Sequence, residues 1–370
     1  MIDLVDLVEK VELAVESILG SKHSLDLERY IGRRLPLCYP NKGLWYMAKK
    51  GATFEVHHEQ FDLSSFLENA SRQTIETIID HYGSTHQRDY CLVVLGHRFQ
   101  GRQIVQFRGV LGQNRLYKIL LLLRLAGVSK SQIVLCDHKP DYRAIVSRDL
   151  SALKEPFEHV VFGGDVIIKP FLSSRFILLF SARGEIVSWS VFQYESSKVL
   201  LTSYPYGDLS EYVVESLSSR VRKTIAFVGS TGVLTTDFPI GTIILPAKIY
   251  DFESLITSKF PNYLLDKMEK IGAKISDKHL SIKTPLVETT DMLSVLKSQG
   301  YKSIDVEAAH FQRGCEKYLA DNTRVGVILF ASDQPDSGMD LSKHDYSSDK
   351  SLNIRQHLAQ VVESIQGDTI

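Results

Sequence analysis

Four short runs in this chain are apolar at almost every position: residues 90–95 (YCLVVL), 132–136 (QIVLC), 224–228 (TIAFV) and 325–330 (VGVILF). A strand with one face in water alternates apolar and polar residues. A strand that does not alternate must be covered on both faces. The helical stretch 116–126 separates the first two runs, and strand, helix and strand with short links imply a βαβ unit with a parallel sheet. The chain is therefore expected to be α/β, with a mixed, mainly parallel sheet flanked by helices.

The rest of the sequence is read around that frame. Residues 2–19 place Leu4, Val8, Val11, Val15 and Ile18 at helical spacing among acids, with Gly20 as a stop. Residues 40–62 read as irregular, with Trp45, Tyr46, Phe54 and Phe61 among polar neighbours, and 63–82 as helical. Strands are expected at 175–180, 186–192, 198–202 and 243–246. Helices are expected at 142–154, 209–217, 262–271, 289–299 and 352–365. This predicts a mainly helical region over 1–88, a small α/β segment over 89–165, and a larger α/β domain over 166–370. The long polar loop 334–350 is of a length that often serves as a lid.

Charge limits the partners. Forty-three Lys and Arg against 44 Asp and Glu leave a net charge of −1, so no global field recruits nucleic acid or an anionic membrane. The most apolar window, 119–123, is far short of the ~20 residues of a membrane span. The acidic start lacks the basic, then apolar, pattern of a secretory signal. Cys38, Cys91, Cys136 and Cys315 are widely spaced, which predicts free thiols and a cytoplasmic protein.

Several motifs are missing. The loop 96–101 (GHRFQG) has the glycine spacing of a phosphate loop but no following Lys and Ser/Thr, which argues against an NTPase. No dinucleotide fingerprint or nucleophile elbow is present. The 12 histidines include no metal-ligand spacing, and His57 and His58 are adjacent, so a strand would point them to opposite faces. Neither a metal nor an organic cofactor is expected.

Three segments of the second half carry chemistry. In 225–234 (IAFVGSTGVL) a buried strand ends in Gly229, Ser230, Thr231 and Gly232, which reads either as bare backbone for a flat ligand or as a tight turn. In 301–311 (YKSIDVEAAHF) Glu307 sits inside an apolar run. It reads as a clamp for two sugar hydroxyls or as a carboxylate favoured by a helix N-terminus. In 327–336 (VILFASDQPD) a buried strand ends in Ser332 and Asp333. A partly buried Asp there is either a proton donor or a turn residue.

In this order the three segments resemble the nucleoside phosphorylase and nucleosidase superfamily, over roughly residues 170–366. Residues 229–234 resemble its glycine-rich turn, 304–309 (IDVEAA) its VEMEAA-like segment, and Ser332–Asp333 its Ser-Asp strand end. The resemblance implies cleavage of the N-glycosidic bond of a purine nucleoside or related compound. Asp333 would protonate the base at N7, Ser332 would orient Asp333, and Glu307 would hold the ribose hydroxyls above Val306. Ser230, Thr231 and Gly232 would line the base, with Pro285–Val287 adding apolar contacts. The second glycine loop of such enzymes is reduced here to Gly207 in SYPYGD, where Asp208 would repel phosphate and no arginine is present. Arg183 is a substitute phosphate ligand, and Glu185 a general base for water. Hydrolysis is therefore expected over phosphorolysis, with inorganic phosphate as co-substrate only in the latter case. The implied partners are a small nucleoside and further copies of the chain, as a dimer or hexamer. The reading of another class is a non-catalytic nucleoside-binding or regulatory module on the same fold.

Overall fold

The computed structural model describes residues 10, 11, 13–16, 48, 49, 51–59, 75–82, 88–99, 102–137, 140–203, 205–251, 260–267, 272–335 and 349–367. The chain divides into two compact units: Met1–Asp141 with Lys283–Asp291, and Tyr142–Ile282 with Met292–Ile370. The division thus falls at 141/142, where the sequence reading placed a boundary at 165/166.

The first unit is built on a five-stranded sheet. Its strands are β1 (Thr53–His58), β2 (Ile75–Tyr82), β3 (Arg88–Phe99), β4 (Arg102–Arg108) and β5 (Ile133–Asp137), in the order β2-β3-β4-β1-β5. Strand β1 runs parallel to β4 and β5, whereas β3, expected as the first strand of the βαβ unit, pairs antiparallel with β4 and so runs opposite to β5; the strand that precedes the helix is β4. Helix α1 (Gln113–Leu125) covers the face carrying Phe54, Val56, Val105 and Phe107, burying Leu116, Ile119, Leu120 and Leu123. Gly112 opens this helix at φ 85°, a backbone that L side chains avoid. Two expectations fail here. Residues 75–82 are a strand, because Ile75, Ile78 and Ile79 satisfy either period and sheet pairing with β3 decides. Residues 53–58 of the region read as irregular form β1, an interior strand between β4 and β5. Residues 96–99 of the stretch read against a phosphate site end β3, where Phe99 pairs with Arg102 of β4. Of the N-terminal helix, the described residues are helical and bury Val11 and Val15 while exposing Leu13.

The second unit begins with α2 (Tyr142–Asp149), β6 (Phe157–Phe162) and α3 (Gly164–Ile167). It continues with β7 (Phe176–Arg183), β8 (Ser188–Tyr194), β9 (Ser197–Thr202), α4 (Leu209–Leu217) and β10 (Val221–Val233). Short strands follow: β11 (Ile243–Pro246), β12 (Ile249–Asp251), β13 (Lys274–Ser276) and β14 (His279–Ser281). The chain ends with α5 (Thr290–Ser298), β15 (Ser303–Asp305), α6 (Ala308–Tyr318), β16 (Arg324–Asp333) and α7 (Asp349–Gly367). The first strand of this unit is therefore β6, ahead of the 175–180 strand. The stretch 262–267, expected as helix, holds only a 3-10 turn at Leu265–Lys267.

Its 11-stranded sheet runs β12-β14-β15-β10-β6-β9-β8-β7, with β16 on the other side of β10 and β11 and β13 beyond. The unbroken apolar runs are explained by two cores. Ile225 and Phe227 of β10 and Val325, Val327 and Leu329 of β16 enter one of them. Val228, Ile328 and Phe330 enter the other, against α7. Phe162, Phe227 and Phe311 stack with ring centroids 5.3–5.9 Å apart and fix α6 on the sheet.

Candidate functional site

Strand β10 continues through Gly229, Ser230, Thr231 and Gly232, so this stretch is extended backbone and not a tight turn. On one side β6 pairs with β10 only as far as Phe227, and β15 joins at Gly232. Neither strand pairs with residues 228–231 along that edge. A gap of this kind at the carboxyl ends of parallel strands is where α/β sheets accept ligands.

On the other side β16 pairs with β10 up to Thr231↔Ala331. The next pair is Gly232↔Asp333, so Ser332 is an extra residue, a β-bulge. The bulge lets the Ser332 hydroxyl donate to Asp333 Oδ1 at 2.6 Å while lying 3.2 Å from the Thr231 carbonyl. Both side chains are buried. Thr231 Oγ1 donates to the Ile304 carbonyl at 2.7 Å and ties β10 to β15. Gly232, on β10, pairs with Ile304 of β15 on one side and with Asp333 of β16 on the other. A Cβ there would stand 3.5 Å from Asp333 Oδ2, 3.3 Å from Ile304 and 3.1 Å from Pro335, so the missing side chain keeps the space beside the carboxyl group clear.

Beyond β15 the chain enters α6 through Val306 and Glu307, both buried. The helix N-terminus is capped by another acid. Asp305 Oδ2 accepts from the Ala308 N–H at 2.8 Å, and Ser281 Oγ accepts from the Ala309 N–H at 2.9 Å. Ser281 also donates to Asp305 Oδ1 at 2.5 Å, and His279 Nε2 lies 3.0 Å from the same oxygen. The Glu307 carboxylate makes no capping bond. One turn on, burial pushes the His310 imidazole below its ordinary range, opposed by the nearby Asp208 carboxylate.

The remaining predicted residues lie elsewhere. Gly207 is buried at φ 56° in the turn before α4, following β9, two strands from β10. Arg183 is exposed at the end of β7, and Glu185 pairs with Arg148 at 2.7 Å. The Asp149 carboxylate accepts the N–H groups of 185, 186 and 187 and pins that turn. Four strand spacings separate β7 from β10, roughly 19 Å at ~4.8 Å each. The sheet does not bring Arg183 or Glu185 to Asp333. Most of the loop read as a lid, from 336 to 348, lies outside the described residues, and Pro285–Val287 belongs to the first unit.

One group was missed. Where β6 ends beside the gap, Gly163 turns at φ 94° and Asp165 enters α3. Its carboxylate accepts from Ser190 Oγ at 2.5 Å and Ser188 Oγ at 3.0 Å, with Lys169 Nζ 3.4 Å away. The signal is legible in the sequence: the apolar run 160–162 is followed directly by Gly-Gly-Asp. Among the described residues no group of three or more His, Cys, Asp and Glu is arranged to hold a metal ion. No described helix is long and apolar enough to cross a membrane.

The second unit thus defines a mixed α/β protein with buried carboxyl groups at the carboxyl ends of parallel strands. Solved structures of a nucleosidase, a futalosine hydrolase and a methylthioadenosine phosphorylase align with part of this chain. The chain is similar to 5'-methylthioadenosine/S-adenosylhomocysteine nucleosidase from Helicobacter pylori at 15% identity, covering 58% of this chain and 99% of that one, with a TM-score of 0.48. It is similar to futalosine hydrolase of Helicobacter pylori at 16% identity, covering 57% and 97%, with a TM-score of 0.47. A methylthioadenosine phosphorylase from an antarctic soil metagenomic library aligns at 13% identity over 59% and 89%, with a TM-score of 0.40. No protein-family model and no curated protein sequence matches the chain.

Proposed function

We propose that the second unit cleaves the N-glycosidic bond of a purine nucleoside or related compound, by hydrolysis. The observation that carries this reading is the bulge that holds the buried Asp333 carboxyl group against Ser332 and beside the bare backbone of Gly232. A carboxyl group in such a place acts as a general acid, an effect typically worth 10²- to 10⁴-fold. The C–N bond breaks with its electron pair going to the base, and the Asp333 proton is taken up at N7, so the base leaves neutral. Water forms the new bond to the anomeric carbon and gives its proton to a carboxylate.

Asp165 suits that last role better than Glu185, because it follows β6 beside the gap while Glu185 is engaged by Arg148. Two hydroxyl donors and Lys169 hold the carboxylate in place. Glu307 is proposed to accept hydrogen bonds from the ribose hydroxyls. Its carboxylate makes no helix-capping bond, since Asp305 and Ser281 cap the helix.

The test is free-base release from a panel of purine nucleosides, including methylthioadenosine, with and without phosphate. Phosphate-independent release, lost in Asp333→Asn and Asp165→Asn but kept in Glu185→Gln, supports the reading. Release only with phosphate refutes hydrolysis. Ligand-induced thermal stabilisation without product supports the binding-module reading instead.

A further inference from the structure

Helix α6 carries a second polar group on the face of Glu307. His310 follows three residues on, so the two side chains lie one above the other, and helical side chains lean toward the N-terminus. On the next turn Arg313 places Nη2 2.7 Å from His310 Nδ1. A guanidinium has donors only, so Nδ1 accepts and carries no hydrogen. The proton of the neutral ring is therefore on Nε2. Arg313 is held in turn by the Asp251 carboxylate on β12. Asp251, Ser281 and Asp305 pair in one row across β12, β14 and β15, so the anchor of Arg313 and the cap of α6 stand on adjoining strands. The Gly207 turn reaches the same histidine. Gly314 lets α4 approach α6, since a Cβ there would stand 2.9 Å from Val214 Cβ and 3.3 Å from Glu211 Cα. Asp208, the N-cap residue of α4, and Glu211 both act on His310 from that side. Burial and Arg313 disfavour the imidazolium, Asp208, Asp251 and Glu211 favour it, and burial prevails. Near pH 7 the ring is a donor at Nε2 and not a proton acceptor.

We propose that His310 is a specificity-determining residue of the nucleoside site, its Nε2–H donating to a ribose hydroxyl that itself donates to Glu307. This rests on the nucleoside reading given above and goes beyond it by pairing the acceptor with a donor. A hydroxyl is a donor and an acceptor at once, and a carboxylate only accepts. Glu307 alone would leave the lone pairs of a buried hydroxyl unanswered. The neutral imidazole on the same helix face answers them, and Arg313 is the positioning residue that keeps its proton on Nε2. A sugar lacking that hydroxyl loses both bonds and strands both protein groups, which is the arrangement that rejects a deoxy analogue most strongly.

The experiment measures KM and kcat of base release by the full chain on a purine ribonucleoside and its 2′-deoxy and 3′-deoxy analogues. His310→Ala is expected to raise KM for the ribonucleoside roughly 10-fold with kcat changed far less, and to leave KM unchanged for the analogue that lacks the paired hydroxyl. His310→Gln, whose amide nitrogen reaches the place of Nε2, is expected to restore most of the loss. Nitrogen-15 NMR of His310 near pH 7 is expected to show the proton on Nε2 in the wild type and on both nitrogens in exchange in Arg313→Met. An unchanged ribonucleoside KM in His310→Ala overturns the proposal, as does a penalty that persists on both analogues or a wild-type ring protonated at Nδ1. In each of these cases wild-type base release leaves the nucleoside reading standing. No base release by the wild type from any ribonucleoside overturns that reading, and the proposal with it.

Discussion

His159 sits on β6 with 1% of its surface exposed, and its Nδ1 lies 2.8 Å from Thr224 Oγ1 on β10. Burial, with Lys223 and Arg324 nearby, pushes its pKa down to about 4. The unfolded chain binds a proton at about 6.5, so below that pH the unfolded state holds more protons and stability falls as pH falls. The loss starts near pH 6.5 and is complete near the folded value of about 4. Between about pH 7.5 and about pH 5.0 it amounts to about 2 kcal/mol. The perturbation is His159→Asn, whose side-chain amide keeps a bond to Thr224 and does not titrate. The cavity it leaves lowers stability by the same amount at every pH, so the difference between variant and wild type isolates the imidazole. Urea unfolding at the two pH values is the assay. The wild type is expected to lose about 2 kcal/mol more than the variant on acidification. Parallel losses, within about 0.5 kcal/mol, refute the reasoning.

Other expectations follow from the same contacts. Under the proposed function, Glu307→Gln would remove charge-assisted acceptance from the sugar, about 1.5–3 kcal/mol, and should raise KM for ribonucleosides roughly 10- to 100-fold in steady-state assays. Asp305→Asn disturbs a buried acid that receives Ser281 and the Ala308 N–H beside His279, and should cost about 3 kcal/mol in urea unfolding. Gly232→Ala places a methyl group 3.1 Å from Pro335 and 3.5 Å from Asp333 Oδ2, and base release should fall with a melting temperature lowered by only a few degrees. Deleting Ser332 removes the bulge and should abolish base release, whereas Ser332→Ala should retain part of it.

Legibility in the sequence followed the physics of each element. The runs at 224–228 and 325–330 announce strands because both cores demand apolar side chains at consecutive positions. The isoleucines of β2 announce nothing, since Ile75, Ile78 and Ile79 fit a helix as well as a strand. Counting strands from 175–180 puts Arg183 and Glu185 at the end of the first strand. The strand that starts the unit is β6, and the acid that follows it is Asp165. Asp305 and Glu307 are two acids two residues apart at a helix start, and composition cannot separate them. The backbone does, by aiming Asp305 at the Ala308 N–H.

The position of Asp333 was the least legible of all, because it depends on register. In a regular ladder Ser332 would stand opposite Gly232, and Asp333 opposite Val233. Cross-strand neighbours share a face, and Val233 belongs to an apolar core. A carboxyl group driven there would lose its water without gaining a partner, at a cost of several kcal/mol. The extra residue moves Asp333 back to Gly232, the one position on β10 where no side chain competes for the space beside Oδ2. It also turns the Ser332 hydroxyl onto Oδ1. A one-residue slip exchanges the two faces of a strand, so this bulge decides whether the acid faces the core at Val233 or the open space beside Gly232.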